Sequence, residues 1–167
     1  MSTPQDDRWP PSVIGALACL AAFVALRGQD LQILADRGLW GVMVASIAVP
    51  ALFAVGIARG DRLAWRWGRW LGIGGAAGLL AAAALARPLV ALAVARGFPD
   101  PRLNFSTTWS VRLVALAATL GTLVLLLSRK SAAAHFRLDC PQCGRNEARA
   151  ADPLFRRARC ASCGATF

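Results

Sequence analysis

Four long apolar stretches, each closed by an arginine, divide the first 128 residues of the chain: about 9–26, 39–58, 68–86 and 110–128. A bilayer core about 30 Å thick needs roughly 20 mostly apolar residues at about 1.5 Å of helical rise each. All four stretches approach that length, and the pattern predicts four membrane-spanning helices. The first opens with Pro10 and Pro11, where a helix accepts proline in its first turn. A cleaved signal peptide is the competing reading; Asp6 and Asp7 beside Arg8, and the lack of a small-x-small cleavage site, weigh against it. The second carries no charge and has Pro50 near its middle, where a kink is expected. The third span is expected to stop at Arg87-Pro88, with Leu89 to Ala95, too short to cross by itself, either extending the helix beyond a kink or lying along the surface, and Phe98 to Thr108 reads as a loop. Trp9, Trp40, Trp65, Trp67, Trp70 and Trp109 all fall near the starts of these stretches, as interfacial indoles do.

No Asp, Glu, His or Lys lies within the core of any predicted span. Intramembrane ionisable groups mark proton relays and ion pathways, so the pattern argues against such a pathway built from this chain alone. Arg87 alone has apolar sequence on both sides, and with Pro88 following it reads as the end of the third span, its side chain snorkelling to the interface. Gly74 and Gly78, and Ala117 and Gly121, have the four-residue spacing that lets two helix backbones approach closely.

Beyond residue 128 the pattern changes. Residues 129–138 read as a linker, and residues 139–167 hold four of the five cysteines as two Cys-x-x-Cys pairs: Cys140 with Cys143, and Cys160 with Cys163. Each pair is followed by glycine, Gly144 and Gly164, which permits a tight knuckle with two thiolates on one side. Sixteen residues separate Cys143 from Cys160, enough for a short β-hairpin. Two knuckles supply four sulfurs in a tetrahedron, which predicts a structural zinc site with Cys140, Cys143, Cys160 and Cys163 as ligands; iron of the rubredoxin type is the rival. Only Leu154, Phe155, Phe167 and a few alanines can build a core here, so the module depends on its metal. Cys19 lies in the first apolar stretch and reads as inert packing.

The residues from Asp139 to Phe167 resemble the short bacterial zinc-ribbon motif that recurs at one terminus of otherwise unrelated membrane proteins. The likeness is carried by Cys140-Pro141-x-Cys143, by the basic approach Arg157-Ala158-Arg159-Cys160, and by Cys163 followed by a closing aromatic, Phe167. It implies zinc ligation and no single function, and the motif usually stands at the other terminus. The expected fold is therefore an all-α membrane protein: a four-helix transmembrane bundle over residues 1–128 with a small C-terminal β-hairpin zinc ribbon.

Composition narrows the function classes. Of 167 residues, 56% are hydrophobic, Tyr is absent, His occurs once, and Asp and Glu together number nine, which leaves few acids, bases or nucleophiles. A closed four-thiolate site has no open position for substrate. The net charge of +10 comes almost wholly from arginine, partly a codon signature expected of a high-GC bacterial genome. With four spans and both termini in the cytoplasm of a bacterial inner membrane, thirteen of the nineteen basic residues fall on the cytoplasmic side, in line with the positive-inside rule. A reducing compartment also keeps thiolates available as ligands. The expected function is a non-enzymatic accessory or scaffold protein whose partners are membrane lipid, a membrane subunit or a soluble cytoplasmic protein. A small transporter or permease component is the alternative. The basic ribbon lacks an aromatic stacking face, so nucleic acid is not an expected partner.

Overall fold

A computed structural model describes residues 9–28, 36–96, 103–145, 148–152, 155 and 157–167. Its elements are α1 (Pro11–Leu26), α2 (Trp40–Ala58), α3 (Arg62–Ala95), α4 (Leu103–Leu127), the short α5 (Lys130–His135), and strands β1 (Ala148–Ala150) and β2 (Ala158–Cys160). Three of the helices contain segments long and apolar enough to cross a membrane: Trp40–Ala58, Arg62–Ala86 and Trp109–Leu127. The first expected span corresponds to α1, a shorter apolar helix. With 16 residues, α1 reaches only about 24 Å at about 1.5 Å per residue, short of a hydrocarbon core of about 30 Å.

Pro11 opens α1 as expected, and the buried face of the helix, Ser12, Val13, Ala16 and Leu20, repeats at three- and four-residue spacing. In α2 only Ile57 is buried, and Val42, Val44, Val49 and Leu52 point outward, leaving an apolar surface suited to lipid or to another helix. Pro50 lies inside α2.

A tight turn joins α2 to α3. Gly60 adopts φ +70, the amide of Gly60 donates to Ile57 O at 3.1 Å, and the amide of Asp61 donates to Gly56 O at 2.9 Å, the two bonds of a Schellman closure. Asp61 then accepts the Leu63 amide at 2.9 Å through Oδ1, capping the start of α3.

Helix α3 does not stop at Arg87-Pro88. It runs 34 residues to Ala95 with Pro88 inside it, because the apolar piece after the proline continues the helix. The Arg87 side chain lies outside the described residues. Helix α4 begins at Leu103, so the second half of the segment expected as a loop is helical.

Helices α3 and α4 share the most extensive helix–helix contact, and glycines line it. A Cβ at Gly68 would meet Leu127 at 3.3 Å, one at Gly72 would meet Val124 at 2.6 Å, and one at Gly75 would meet Leu120 at 2.9 Å. Three glycines at i, i+4 and i+7 thus face three aliphatic side chains at the same spacing on an antiparallel helix. The pair expected from the sequence, Gly74 and Gly78, has nothing within 4 Å of either position, and neither has Gly121.

Residues 129–138, expected as a linker, contain α5 and belong to the core. Ala132, Ala133, Phe136 and Leu138 are buried and join one hydrophobic cluster with Val13, Ala16, Ile57, Leu123 and Leu127 of the long helices and with Phe155 and Ala158 of the hairpin. The hairpin end and the helical body therefore share a core.

Candidate metal centre

The strands β1 and β2 pair antiparallel with Ala148 opposite Cys160, Arg149 opposite Arg159 and Ala150 opposite Ala158. The last residues fold back along the other edge of β2: Ala158 and Phe167 exchange amide-to-carbonyl bonds at 2.8 Å each, and Arg159 bridges Thr166. This small sheet carries Cys160, and its chain reversals place the other cysteines.

The two knuckles repeat one hydrogen-bond pattern. The Gly144 amide donates to Cys140 O at 2.8 Å, and the Gly164 amide to Cys160 O at 3.0 Å. The Cys140 amide donates to Arg145 O at 3.0 Å, and the Cys160 amide to Ala165 O at 2.8 Å. Gly144 (φ 68) and Gly164 (φ 75) sit in the left-handed region at the same point of each turn, the role expected for the glycine after each Cys-x-x-Cys. Arg145 Nη1 donates to Ser162 Oγ at 3.1 Å and ties one knuckle to the other.

The four Sγ atoms of Cys140, Cys143, Cys160 and Cys163 all lie within 4.8 Å of one another. Cys140 and Cys163 sulfurs are 3.6 Å apart and those of Cys143 and Cys160 are 3.5 Å apart, far beyond a disulfide bond of about 2.0 Å. Four thiolates held about 2.3 Å from a central ion in a tetrahedron would stand about 3.8 Å from one another, close to these separations. Cys140 and Cys160 are buried and Cys143 and Cys163 exposed, so the cluster sits at the surface of the module with one sulfur of each knuckle inward. The set fits a metal ion.

Electrostatics favour the same conclusion. Backbone hydrogen bonding from Cys143, helped by Gln142, holds the Cys140 thiol down to about 7 from its ordinary 9.0, against the opposing effect of desolvation. At Cys143 the Arg145 amide pulls the thiol down, but desolvation and the neighbouring sulfurs, Cys160 foremost, push it up to about 12. Cys163 is likewise raised: the Ala165 amide lowers it, and the Cys140 sulfur and desolvation outweigh that. Cys140 is thus held down while Cys143 and Cys163 are held up, and a cation at the centre would favour the thiolate form of the latter two.

The centre is fastened to the helices by groups that sequence reasoning missed. Arg62, in the first turn of α3, donates from Nε to Phe136 O at 3.3 Å, from Nη1 to Phe167 O at 3.1 Å and from Nη2 to Arg137 O at 2.8 Å, and its guanidinium lies 5.1 Å from the Phe167 ring centroid. Arg137 reaches that geometry with φ 51, in the left-handed region that favours glycine. His135 Nε2 bonds Ile57 O at 2.9 Å, Trp65 Nε1 donates to Leu127 O at 2.9 Å, and the hydroxyls of Ser12 and Ser131 are 2.8 Å apart. Trp65, expected as an interfacial anchor, thus also spends its N–H on the end of α4.

Phe155 is buried and Phe167 packs on the shared core, as expected of the residues assigned to it, whereas Leu154 lies outside the described residues. Cys19 is half-buried on α1, packs against the helical part of the core and is not a member of the sulfur cluster. No family model, curated protein or solved structure matches the chain.

Proposed function

We propose that this chain is a non-enzymatic accessory protein of a bacterial inner membrane, with the short apolar helix α1 inserted as a fourth membrane helix and both termini cytoplasmic, in which a structural zinc ribbon presents a fixed surface to a partner. The observation that carries the reading is a four-sulfur module whose hairpin residues Phe155 and Ala158 share one core with the ends of helices of bilayer length. A site filled by four thiolates has no coordination position left for substrate, so its contribution is to folding and shape. The zinc-ribbon likeness of residues 139–167 points the same way, and zinc is favoured over iron because the module is short and basic. Outward-facing apolar residues on α2, and on α3 at Leu71, Ile73 and Leu80, supply helix faces for lipid or for a partner membrane subunit. The basic ribbon sits on the side that the positive-inside rule makes cytoplasmic.

The test is purification of the full-length protein in mild detergent, with elemental analysis and identification of associated proteins in one sample. The reading expects one zinc per chain, a colourless preparation and a defined membrane or cytoplasmic partner. Visible absorbance from bound iron would overturn the metal assignment. A lone monomer with no associated protein, recovered under several mild detergents, would overturn the accessory role while leaving the ribbon intact.

A further inference from the structure

A cleft of about 550 Å³ separates the first turns of α3 from the hairpin. Its floor on the helix side is Trp65, Trp70 and Ile73; its polar groups are Arg66 and Arg69 from α3 and Arg149 and Asp152 from the hairpin. Among the described residues three arginines and one carboxylate therefore line the cleft, and that carboxylate is already engaged, since Asp152 Oδ2 accepts the Arg157 amide at 2.9 Å. Arg69 is held with its guanidinium 4.8 Å from the Trp65 ring centroid, and its Nε is buried with no hydrogen-bond partner. A buried guanidinium N–H without an acceptor is costly, and an acceptor brought by a ligand would satisfy it. Arg66 and Arg149 are exposed, and Arg149 stands directly opposite Arg159 in the sheet, where like charges repel. An anion held in the cleft would lie among the side chains of Arg66, Arg69 and Arg149.

We propose that this cleft binds a phosphate-bearing anion, and that its source in the membrane is the headgroup of an acidic phospholipid. Planar guanidinium groups match phosphate oxygens in a two-pronged geometry. The volume lies within the range of about 300–1,000 Å³ usual for small-ligand sites. Trp65, Trp70 and Ile73 supply the apolar wall that a glycerol backbone and the first acyl carbons require. Trp70 and Leu71 are exposed beside the cleft, and α3 continues from them into its apolar length, so the cleft lies at the level where headgroups meet hydrocarbon. The lipid source rests on bilayer insertion and not on the accessory role; the partner analysis above and the lipid assay below fail independently.

The experiment uses the full-length protein, delipidated in mild detergent and then offered equal amounts of phosphatidylglycerol and phosphatidylcholine of identical chains, with retained lipid counted by native mass spectrometry. In parallel, inorganic phosphate is titrated calorimetrically. Phosphatidylglycerol should be retained in preference, and the double variant Arg66→Gln/Arg149→Gln should lower that preference by about 25-fold, at about fivefold for each arginine near a headgroup. Both replaced side chains are exposed, and an unchanged circular dichroism spectrum and unfolding temperature identify a variant that folds. Phosphate binding that the double variant weakens, without lipid preference, would support the oxyanion site with a soluble source. A preference for phosphatidylglycerol that survives in the folded double variant, or wild-type protein that prefers neither lipid and binds no phosphate, overturns the proposal.

Discussion

Sulfurs that face the centre and an arginine on α3 that faces the module both hold the C-terminal end, and they fail differently when changed. Cys160→Ser removes a buried ligand and should lower metal affinity by more than the roughly 10–100-fold typical of an outer-shell change; elemental analysis after dialysis against a weak chelator reads it directly. Arg62 touches no sulfur. Its three donors each serve a carbonyl, at Phe136, Arg137 and Phe167, so Arg62→Gln strands acceptors at the join between ribbon and helix. The expected cost is about 1–3 kcal/mol, visible as faster amide exchange in residues 136–138 and 158–167 with metal content unchanged at saturating zinc. Arg62→Lys should not rescue it, because a point-like ammonium cannot span three carbonyls as a planar fork does. Nothing in the sequence marks Arg62 among eighteen arginines. Its role comes from the α2–α3 turn, whose Gly60 is the residue that can take φ +70 while His135 passes close by, a Cβ there meeting His135 O at 2.8 Å. The cluster of four cysteines was legible for the opposite reason: a Cys-x-x-Cys-Gly knuckle is local, and its two sulfurs and its glycine lie within five consecutive residues.

Between elements, hydropathy located the helices but not their partners. Apolar length alone identifies α2 and the apolar segments of α3 and α4, because the hydrocarbon thickness is an absolute ruler. The ruler is less decisive for α1, where an apolar stretch bounded by prolines and Arg27 forms 16 helical residues, and at Arg87-Pro88, where only the structure shows that the helix continues past the proline. The small-residue signal does not choose a face: α3 contains both Gly74/Gly78, which stay open to another helix, and Gly68/Gly72/Gly75, and a four-residue spacing fits either set. The choice is made by the opposing helix, where Leu120, Val124 and Leu127 fill the notches of the second set. Gly72→Ala puts a Cβ 2.6 Å from Val124 Cγ2, and the overpacking should cost about 1–3 kcal/mol, measured as a fall in thermal stability in detergent. Gly78→Ala meets nothing within 4 Å and should be neutral or stabilising by about 0.5–1 kcal/mol from helix propensity. If Gly78→Ala proved the more damaging, the α3–α4 packing described above would be wrong.

For the molecule as a whole, the decisive feature is that the ribbon is not tethered to the helices but built into them. The segment 129–138 reads as a linker because it is short, basic at its start and Ala-rich; only its burial between Leu127, Ile57 and the hairpin gives Phe136 and Leu138 their place in a common core. That context is tertiary, so a local pattern could not carry it. A metal that binds only the folded ribbon stabilises whatever folds with it, by about 2.7 kcal/mol at a free concentration 100 times the dissociation constant and about 4.1 at 1,000 times. In a chain with a flexible linker this energy would stay in the ribbon. Here Phe136 and Leu138 join Ile57, Ala64 and Leu127 in one cluster, and Arg62, Trp65 and His135 bridge the same join. Stripping the metal with a strong chelator should therefore loosen the near end of the helices as well: the hairpin loses exchange protection fully, and residues 57–65 and 123–133 lose it in part, while the far ends of α2 and α3 stay unchanged. Hydrogen exchange on the detergent-solubilised protein, with zinc restored as the reversal control, reads each segment separately. Loss confined to residues 139–167 would mean that the shared core does not transmit the metal's stabilisation, and the ribbon would then act on its surroundings as an independent module.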